Sequence, residues 1–346
     1  MDRVQEQDIK DFASSFAFAE ELTDSTFLIT GATGLIGSTL IHCLLALEKG
    51  IRIVAPVRNK AKAISMFGEK AKEIELIECD LLNFNYSTIG TVDHIVHCAA
   101  PTASKYFVEH GVETFETIMG GTSILLKYAK THAVKSLVFL SSLEVYGSIC
   151  EDIHPVNENV QGYLDPMSVR SSYPMAKRAA ENLCCLYANE YRVPVKVARL
   201  TQTTGAGIAK DDNRVIAQFA RLAVEGKDIV LHTTGEAARP YCYTTDVVSA
   251  ILYILLRGKS GEAYNVANEN TYISARGMAE YLKENFNPNI NVRIELKNNM
   301  GYAPSTKLRL SAEKLMGLGW KPNHDLKDIF DRLICYIRDC RLILLV

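Results

Sequence analysis

The chain reads as an α/β protein, a doubly wound parallel sheet followed by a smaller C-terminal α/β portion. Short apolar runs alternate with helical stretches through the first two hundred or so residues, the pattern of parallel strands covered on both faces. A glycine-rich turn, Thr30-Gly31-Ala32-Thr33-Gly34-Leu35-Ile36-Gly37, stands between the apolar run Thr26 to Thr30 and the helical run Ser38 to Leu47. Beyond that region the alternation becomes irregular.

Residues 1–23 are expected to form an N-terminal helical extension, with Phe12, Phe16, Phe18 and Leu22 on one side of a short helix packed on the domain. Strands are expected at 26–30, 51–57, 74–78, 93–98, 136–141 and 194–200, with helices between them. A helix at 211–226, a strand at 229–232, a helix at 244–257 and a last helix near 325–340 follow. Residues 24–200 would therefore carry the dinucleotide site and the catalytic groups, and 201–346 mainly the substrate-binding portion. The stretch 148–172, with Pro155, Gly162 and Pro166, is long enough to border an active site. Ligands of such sheets gather at the carboxyl ends of the strands. Gly31, Asp80, Ala99, Ser142 and Thr201 all follow predicted strand ends and should converge there.

In the glycine-rich turn, Gly31 allows the sharp reversal, Gly34 lets the backbone approach a pyrophosphate, and Gly37 permits close packing of helix on strand. The following helix start offers N–H donors to phosphate. Far downstream, Tyr173 and Lys177 stand four residues apart and share one helix face. An ammonium beside a phenol favours phenolate, which makes a base able to take a proton from a sugar hydroxyl while hydride leaves the same carbon.

Composition narrows the function classes. The 346 residues are 48% hydrophobic, ample for a core. With 38 basic and 40 acidic residues and a net charge of −2, no global field argues for nucleic acid or an anionic membrane. Nine cysteines show no C-x-x-C pair, which fits reduced core thiols and a cytoplasmic setting. Eight histidines lack an H-x-x-x-H pair, so no metal site is expected. The first 23 residues do not read as a signal peptide, and the apolar tail Leu342-Ile343-Leu344-Leu345-Val346 is too short to span a bilayer. Burial is expected for that tail, against a core edge or a partner.

Taken in order, the blocks Thr30 to Gly37, Asp80-Leu81, His97-Cys98-Ala99-Ala100-Pro101, Ser141 to Gly147, Tyr173 to Lys177 and Arg239 to Asp246 resemble the extended short-chain dehydrogenase/reductase superfamily and its NAD-dependent epimerase/dehydratase family. The likeness spans residues 24–338. It implies a Rossmann-type fold whose cofactor contacts fall on Gly31, Thr33, Gly34, Leu35, Ile36, Gly37, Arg58, Asp80, Leu81, Ala99, Ala100, Pro101, Tyr173, Lys177 and Thr201. It also implies a catalytic triad of Ser142, Tyr173 and Lys177. Glu144 is a fourth candidate: where dehydratases carry Thr-Asp-Glu and uronate decarboxylases Thr-Ser-Glu, this chain has Ser142-Leu143-Glu144. Leu143 cannot give the proton that the dehydratase aspartate supplies.

The motifs are most similar to those of nucleotide-uronate (UDP-glucuronate) decarboxylases. His97 to Ser104 is similar to that group's His-Leu-Ala-Ser-Pro-Ala-Ser-Pro, and Asp212-Asn213-Arg214-Val215 to its Asp-Gly-Arg-Val. Arg214 and Arg239 would then meet substrate phosphate or carboxylate, with Lys105 and Gln202 as further substrate contacts. Gln202 stands where the group has Asn. The implied activity is modification of a nucleotide sugar through a transient 4-keto intermediate, with decarboxylation of a nucleotide uronate preferred. Epimerisation, 4,6-dehydration and a non-catalytic nucleotide-binding role remain open alternatives. The cofactor would be NAD or NADP, tightly bound and recycled; Arg58, Lys60 and Lys62, without an acid at the end of the second strand, lean to NADP. The family also implies a homodimer through helices near 112–130 and 174–191, with Ile118, Leu125, Leu126, Leu183, Leu186 and Tyr187 as apolar surface.

Overall fold

The computed structural model describes residues 1–150, 152, 154–297 and 306–342. Its first strands in chain order are β1 (Thr26–Thr30), β2 (Arg52–Val57), β3 (Ile74–Glu78), β4 (His94–His97), β5 (Ser136–Ser142) and β6 (Val195–Leu200). They are followed by β7 (Gln202–Thr204), β8 (Ile229–Leu231), β9 (Ala238–Tyr243), β10 (Ala263–Val266), β11 (Asn268–Ser274) and β12 (Val292–Ile294). The main sheet has seven strands in the order β10-β6-β5-β4-β1-β2-β3, and every pairing in it is parallel.

Helices cover both faces. They are α1 (Arg3–Ser15), α2 (Leu35–Ala46), α3 (Lys60–Phe67), α4 (Ser104–Glu109), α5 (Gly111–Thr131), α6 (Ser172–Tyr191), α7 (Val215–Glu225), α8 (Thr244–Arg257), α9 (Ala275–Asn285), α10 (Glu313–Met316) and α11 (Leu326–Leu342). Double coverage explains why β1 and β2 are buried along almost their whole length, whereas the edge strand β3 has exposed glutamates. In β1, Phe27 and Ile29 enter the core under α1, α2 and α8, whereas Leu28 enters the core under α5 and α6. In β5, Val138 and Leu140 face the first core, and Leu137 and Phe139 the second.

The strand order reverses at β1, which lies between β2 and β4. Chain connections leave that point in opposite directions, so a crevice opens at the carboxyl ends of the strands. A smaller lobe forms beside it. There α7, α9 and α11 bury Phe219, Met278, Leu282, Phe330 and Leu333 with Tyr241 and Tyr243 of β9. The boundary expected at residue 200 does not divide the molecule, because β10 pairs with β6 as the seventh strand and α8 packs on the same core as α2. A strand's partner is set by long-range packing, which local periodicity cannot express.

The N-terminal segment is helical but differs from the expectation. Asp2 caps α1, accepting from the Val4 amide at 2.8 Å while Gln5 accepts from the Asp2 amide at 3.2 Å, a reciprocal capping box. The helix stops at Ser15, so Phe16, Phe18 and Leu22 are not on it. Phe16 stacks on Phe12 with ring centroids 5.2 Å apart, and Phe18 meets Tyr253 of α8 at 4.9 Å. The buried Asp8 carboxylate accepts from the Tyr243 hydroxyl at 2.6 Å and pairs with Arg332 of α11. The helix α1 thereby ties the large sheet's cover to the smaller lobe.

Leu342 closes α11, and residues 343–346 of the apolar tail lie outside the described residues. Among the described residues no helix is long and apolar enough to cross a membrane, and no cluster of His, Cys, Asp and Glu is arranged to hold a metal ion.

Candidate active site

The turn after β1 is built as a cradle that side chains would fill. Gly31 takes φ +70°, and a Cβ there would lie 2.7 Å from the Ala99 nitrogen. A Cβ on Gly37 would lie 2.3 Å from the Gly31 carbonyl oxygen, so its closeness serves the turn itself as much as the strand. Gly34 caps α2, whose first turn begins at Leu35. The amides of Leu35, Ile36 and Gly37 consequently have no acceptor within the helix and face the end of the turn. Thr33 lies within the same turn.

The end of β4 closes the cradle. The Thr30 hydroxyl and His97 Nδ1 are 2.7 Å apart, and the Ala99 amide donates to Thr30 Oγ1 at 3.3 Å. Burial, and after it the nearby Lys177, push His97 down to about 3, so the ring is neutral. Half-buried Ala99, Ala100 and Pro101 follow. Beyond the end of β3, Asp80 is exposed and turned back on its own loop, accepting from the Leu82 amide and from Asn83 Nδ2 at 2.6 Å. Leu81 is half-buried beside it, and Arg58 is exposed at the end of β2. Glu78, which the sequence reasoning passed over, accepts from the Lys60 amide at 3.0 Å and sets a carboxylate beside this basic loop. Thr201 is buried and donates to the Pro240 carbonyl at 2.6 Å.

The end of β5 and the start of α6 bring together the reactive groups. Ser142 ends β5, and its Oγ accepts from the Glu144 amide at 3.2 Å. Tyr173 sits in the first turn of α6, where the missing N–H of Pro174 sacrifices no helical bond. Its ring stacks on Phe107 at 4.9 Å and 15°. Burial, and then the Glu144 charge, raise the Tyr173 phenol well above the ordinary tyrosine value; a hydrogen bond with Ser142 and the charge of Arg170 act the other way.

Lys177 lies over the Tyr173 ring but hydrogen-bonds to the strand beneath it. Its Nζ donates to the Leu140 carbonyl at 2.6 Å and lies 4.6 Å from the Phe139 ring centroid, against 5.8 Å from that of Tyr173. Burial pushes Lys177 down to about 8. Its charge still reaches the end of β4, since it acts on both His97 and Cys98.

Arg170 is the functional candidate that sequence reasoning missed. Its Nη1 and Nη2 donate to the two oxygens of Glu144 at 2.9 and 3.2 Å, and its guanidinium lies 4.6 Å over the Phe107 ring. Its place three residues before Tyr173 was the only signal available. Behind the site, buried Arg199 of β6 pairs with Glu181 of α6 at 2.7 Å and meets the Tyr146 hydroxyl at 3.1 Å, locking α6 to the sheet.

The substrate candidates do not all converge. Arg214 chelates Asp212 and donates to the Thr203 carbonyl. Half-buried Arg239 of β9 has no carboxylate partner among the described residues. Both arginines act on the buried Tyr241 phenol, holding it down against the rise that burial causes. Gln202 opens β7 and is half-buried. Lys105, by contrast, is 79% exposed on α4, 3.8 Å from Glu109.

A parallel sheet with a glycine cradle at its reversal point and a serine, tyrosine and lysine at the neighbouring strand end defines a dinucleotide-dependent enzyme class. The NAD dependent epimerase/dehydratase family matches residues 27–267, and the chain belongs to that family. It is 30% identical over 304 residues to UDP-glucuronic acid decarboxylase 3 of Arabidopsis thaliana, covering 87% of this chain and 85% of that one. It is 27% identical to UDP-glucuronic acid decarboxylase 1 of Xenopus tropicalis over 93% of this chain and 74% of that one. Among solved structures, UDP-glucuronic acid 4-epimerase of Bacillus cereus in complex with UDP-glucuronic acid and NAD superposes with a TM-score of 0.77 at 20% identity, over 91% of this chain and 99% of that chain. That likeness concerns the fold.

Proposed function

We propose that this protein uses a nicotinamide dinucleotide to convert a nucleotide uronate, of the UDP-glucuronate type, into a nucleotide pentose with loss of carbon dioxide. The observation that carries this is the grouping of Ser142, Glu144 and Tyr173 at one strand end, in a chain whose similar relatives are UDP-glucuronic acid decarboxylases. The cradle of Gly31, Gly34 and Gly37, closed by Ala99, fits a pyrophosphate approached by backbone amides.

A bound dinucleotide would accept hydride from carbon 4 of the sugar and later return it. Tyr173 takes the proton of the 4-hydroxyl, and Ser142 orients that oxygen. The resulting ketone is β to the carboxylate, so the electron pair of the breaking C5–C6 bond passes into it as carbon dioxide leaves. A proton then adds at carbon 5, with Glu144 as the orienting or proton-handling carboxylate. Tyr173 finally returns its proton to the 4-oxygen. Arg214, Arg239 and Gln202 are assigned to the nucleotide-sugar side, Arg239 most strongly because its guanidinium has no carboxylate partner among the described residues.

Family membership gives NAD dependence; Arg58 with Lys60 and Lys62 supports acceptance of NADP, and Glu78 beside them supports NAD. A homodimer through α5 and α6 is supported by a corrected outer face. Ile118, Leu125 and Leu126 are fully buried in the chain's own core, whereas Phe115, Leu186 and Tyr191 are exposed by 40%, 44% and 45%. Nine free cysteines support a reducing, cytoplasmic setting.

Mass spectrometry after incubation with a panel of nucleotide sugars tests the reaction. Conversion of UDP-glucuronate to the pentose with carbon dioxide release is expected. Inversion without mass change, or loss of water, would move the enzyme to the epimerase or dehydratase branch, and ligand binding without turnover would favour a regulatory nucleotide-binding role.

A further inference from the structure

We propose that Arg170 is a positioning residue that holds the Glu144 carboxylate in a two-pronged ion pair and so shields the Tyr173 phenol from its negative charge. This rests on Tyr173 acting as the base under Proposed function.

Two contacts of one side chain carry the inference. The guanidinium spans both Glu144 oxygens, at 2.9 and 3.2 Å, a planar match that lysine cannot reproduce. The same guanidinium lies over Phe107, on which the Tyr173 ring also stacks. The turn Val169–Ser171 leads directly into α6, so Arg170 and Tyr173 are set by one short piece of backbone. An unpaired Glu144 carboxylate would disfavour phenolate at Tyr173, since like charges resist being formed side by side.

The surroundings leave few other charges to compensate. From the turn after β5 come Ser142 and Glu144, and from the turn before α6 comes Arg170. Lys177 on α6 itself is engaged with the Leu140 carbonyl, and Glu181, one turn further on, with Arg199. The helix α4 contributes the neutral Phe107; its ionisable Lys105 and Glu109 are exposed and paired with each other, and Tyr106 stacks on exposed His110. At the end of β4 the His97 ring is neutral, and at the start of α5 Gly111 packs against Ser172 of α6. Glu144 and Arg170 remain 26% and 28% exposed, so solvent screens the effect.

The test follows formation of reduced nicotinamide in a single turnover as a function of pH, because this step precedes any role of Glu144 in carbon chemistry. In Arg170→Met the rising limb should move to higher pH by roughly half to one unit, a loss of about three- to tenfold below the limb. In the Glu144→Gln background the same substitution should move the limb by clearly less, because only the direct pull of the Arg170 charge on the phenol is then lost. Arg170→Lys, which keeps the charge without the two-pronged geometry, should restore only part of the wild-type position. Should Arg170→Met not fold, Arg170→Gln carries the same comparison. An unmoved limb in the single variant, or an equal shift in both backgrounds, overturns the proposal. A wild-type enzyme that forms no reduced nicotinamide with any nucleotide sugar would instead overturn the function on which it rests.

Discussion

Replacing Lys177 by methionine should make the protein more stable and far less active. Lys177 is 3% exposed and pushed from the ordinary 10.5 to about 8 by burial, which corresponds to roughly 3 kcal/mol of cost to the folded state at neutral pH, at 1.36 kcal/mol per tenfold. Methionine fills the volume without a charge. It also strands the Leu140 carbonyl that Nζ now satisfies at 2.6 Å, a loss of about 1 kcal/mol. The net gain is about 2 kcal/mol, or about 3 °C in Tm for a chain of 346 residues. The sign has a pH signature. Between pH 8 and 10.5 the unfolded lysine keeps a proton that the folded one has released, so wild-type stability rises with pH across this window and the variant's does not. The advantage of Lys177→Met should be full at pH 7, shrink above pH 8, pass through zero near pH 9.5 and reverse by about 1 kcal/mol at pH 10.5. Thermal melts at closely spaced pH values, alongside a turnover assay expected to fall at least about a hundredfold, read both effects. A variant less stable than wild type at pH 7, or a Tm difference flat from pH 7 to 10, would refute the assignment of a buried, costly ammonium.

Tyr173→Phe should keep the stack on Phe107, and hence the fold and cofactor, while turnover falls by at least about a hundredfold; near-normal turnover would remove Tyr173 from the chemistry. Arg58→Ala should weaken NADP more than NAD in equilibrium binding, and equal changes would leave Arg58 as a solvated side chain. Leu186→Arg, at a position 44% exposed on α6, should raise the dimer dissociation constant measured by light scattering at micromolar concentrations. A monomeric, fully active wild-type enzyme would discard the dimer.

The fold was most legible where a signal was local. Thr26–Thr30 is bounded on one side by a glycine turn, and the strand occupies the expected residues. The turn itself needed Gly31 because a Cβ could not coexist with the Ala99 backbone. Other features were illegible for a common reason, that they depend on groups far apart in the chain. Arg170 meets Glu144 across 26 residues, and neither residue's neighbours announce the pair. The spacing of Tyr173 and Lys177 placed both on one helix but did not reveal that the Leu140 carbonyl would draw the ammonium toward the sheet. Apolar residues on α5 were visible as such, yet nothing in their periodicity told Leu125, packed inward, from Phe115, left at the surface.

The tie between α1 and the rest of the molecule has a consequence for the order of assembly. Asp8 finds Tyr243 after 235 residues and Arg332 after 324, so residues near position 8 emerge from the ribosome long before either partner exists. Closing loops of that length is slow compared with forming neighbouring strand and helix pairs. The sheet core, with α1 packed beside α2 in it, can be laid down before α11 arrives, and the Asp8–Arg332 pair then ties the two together. The ion pair of α1 with α11 is therefore among the last to form, and it closes a clasp across a largely finished structure.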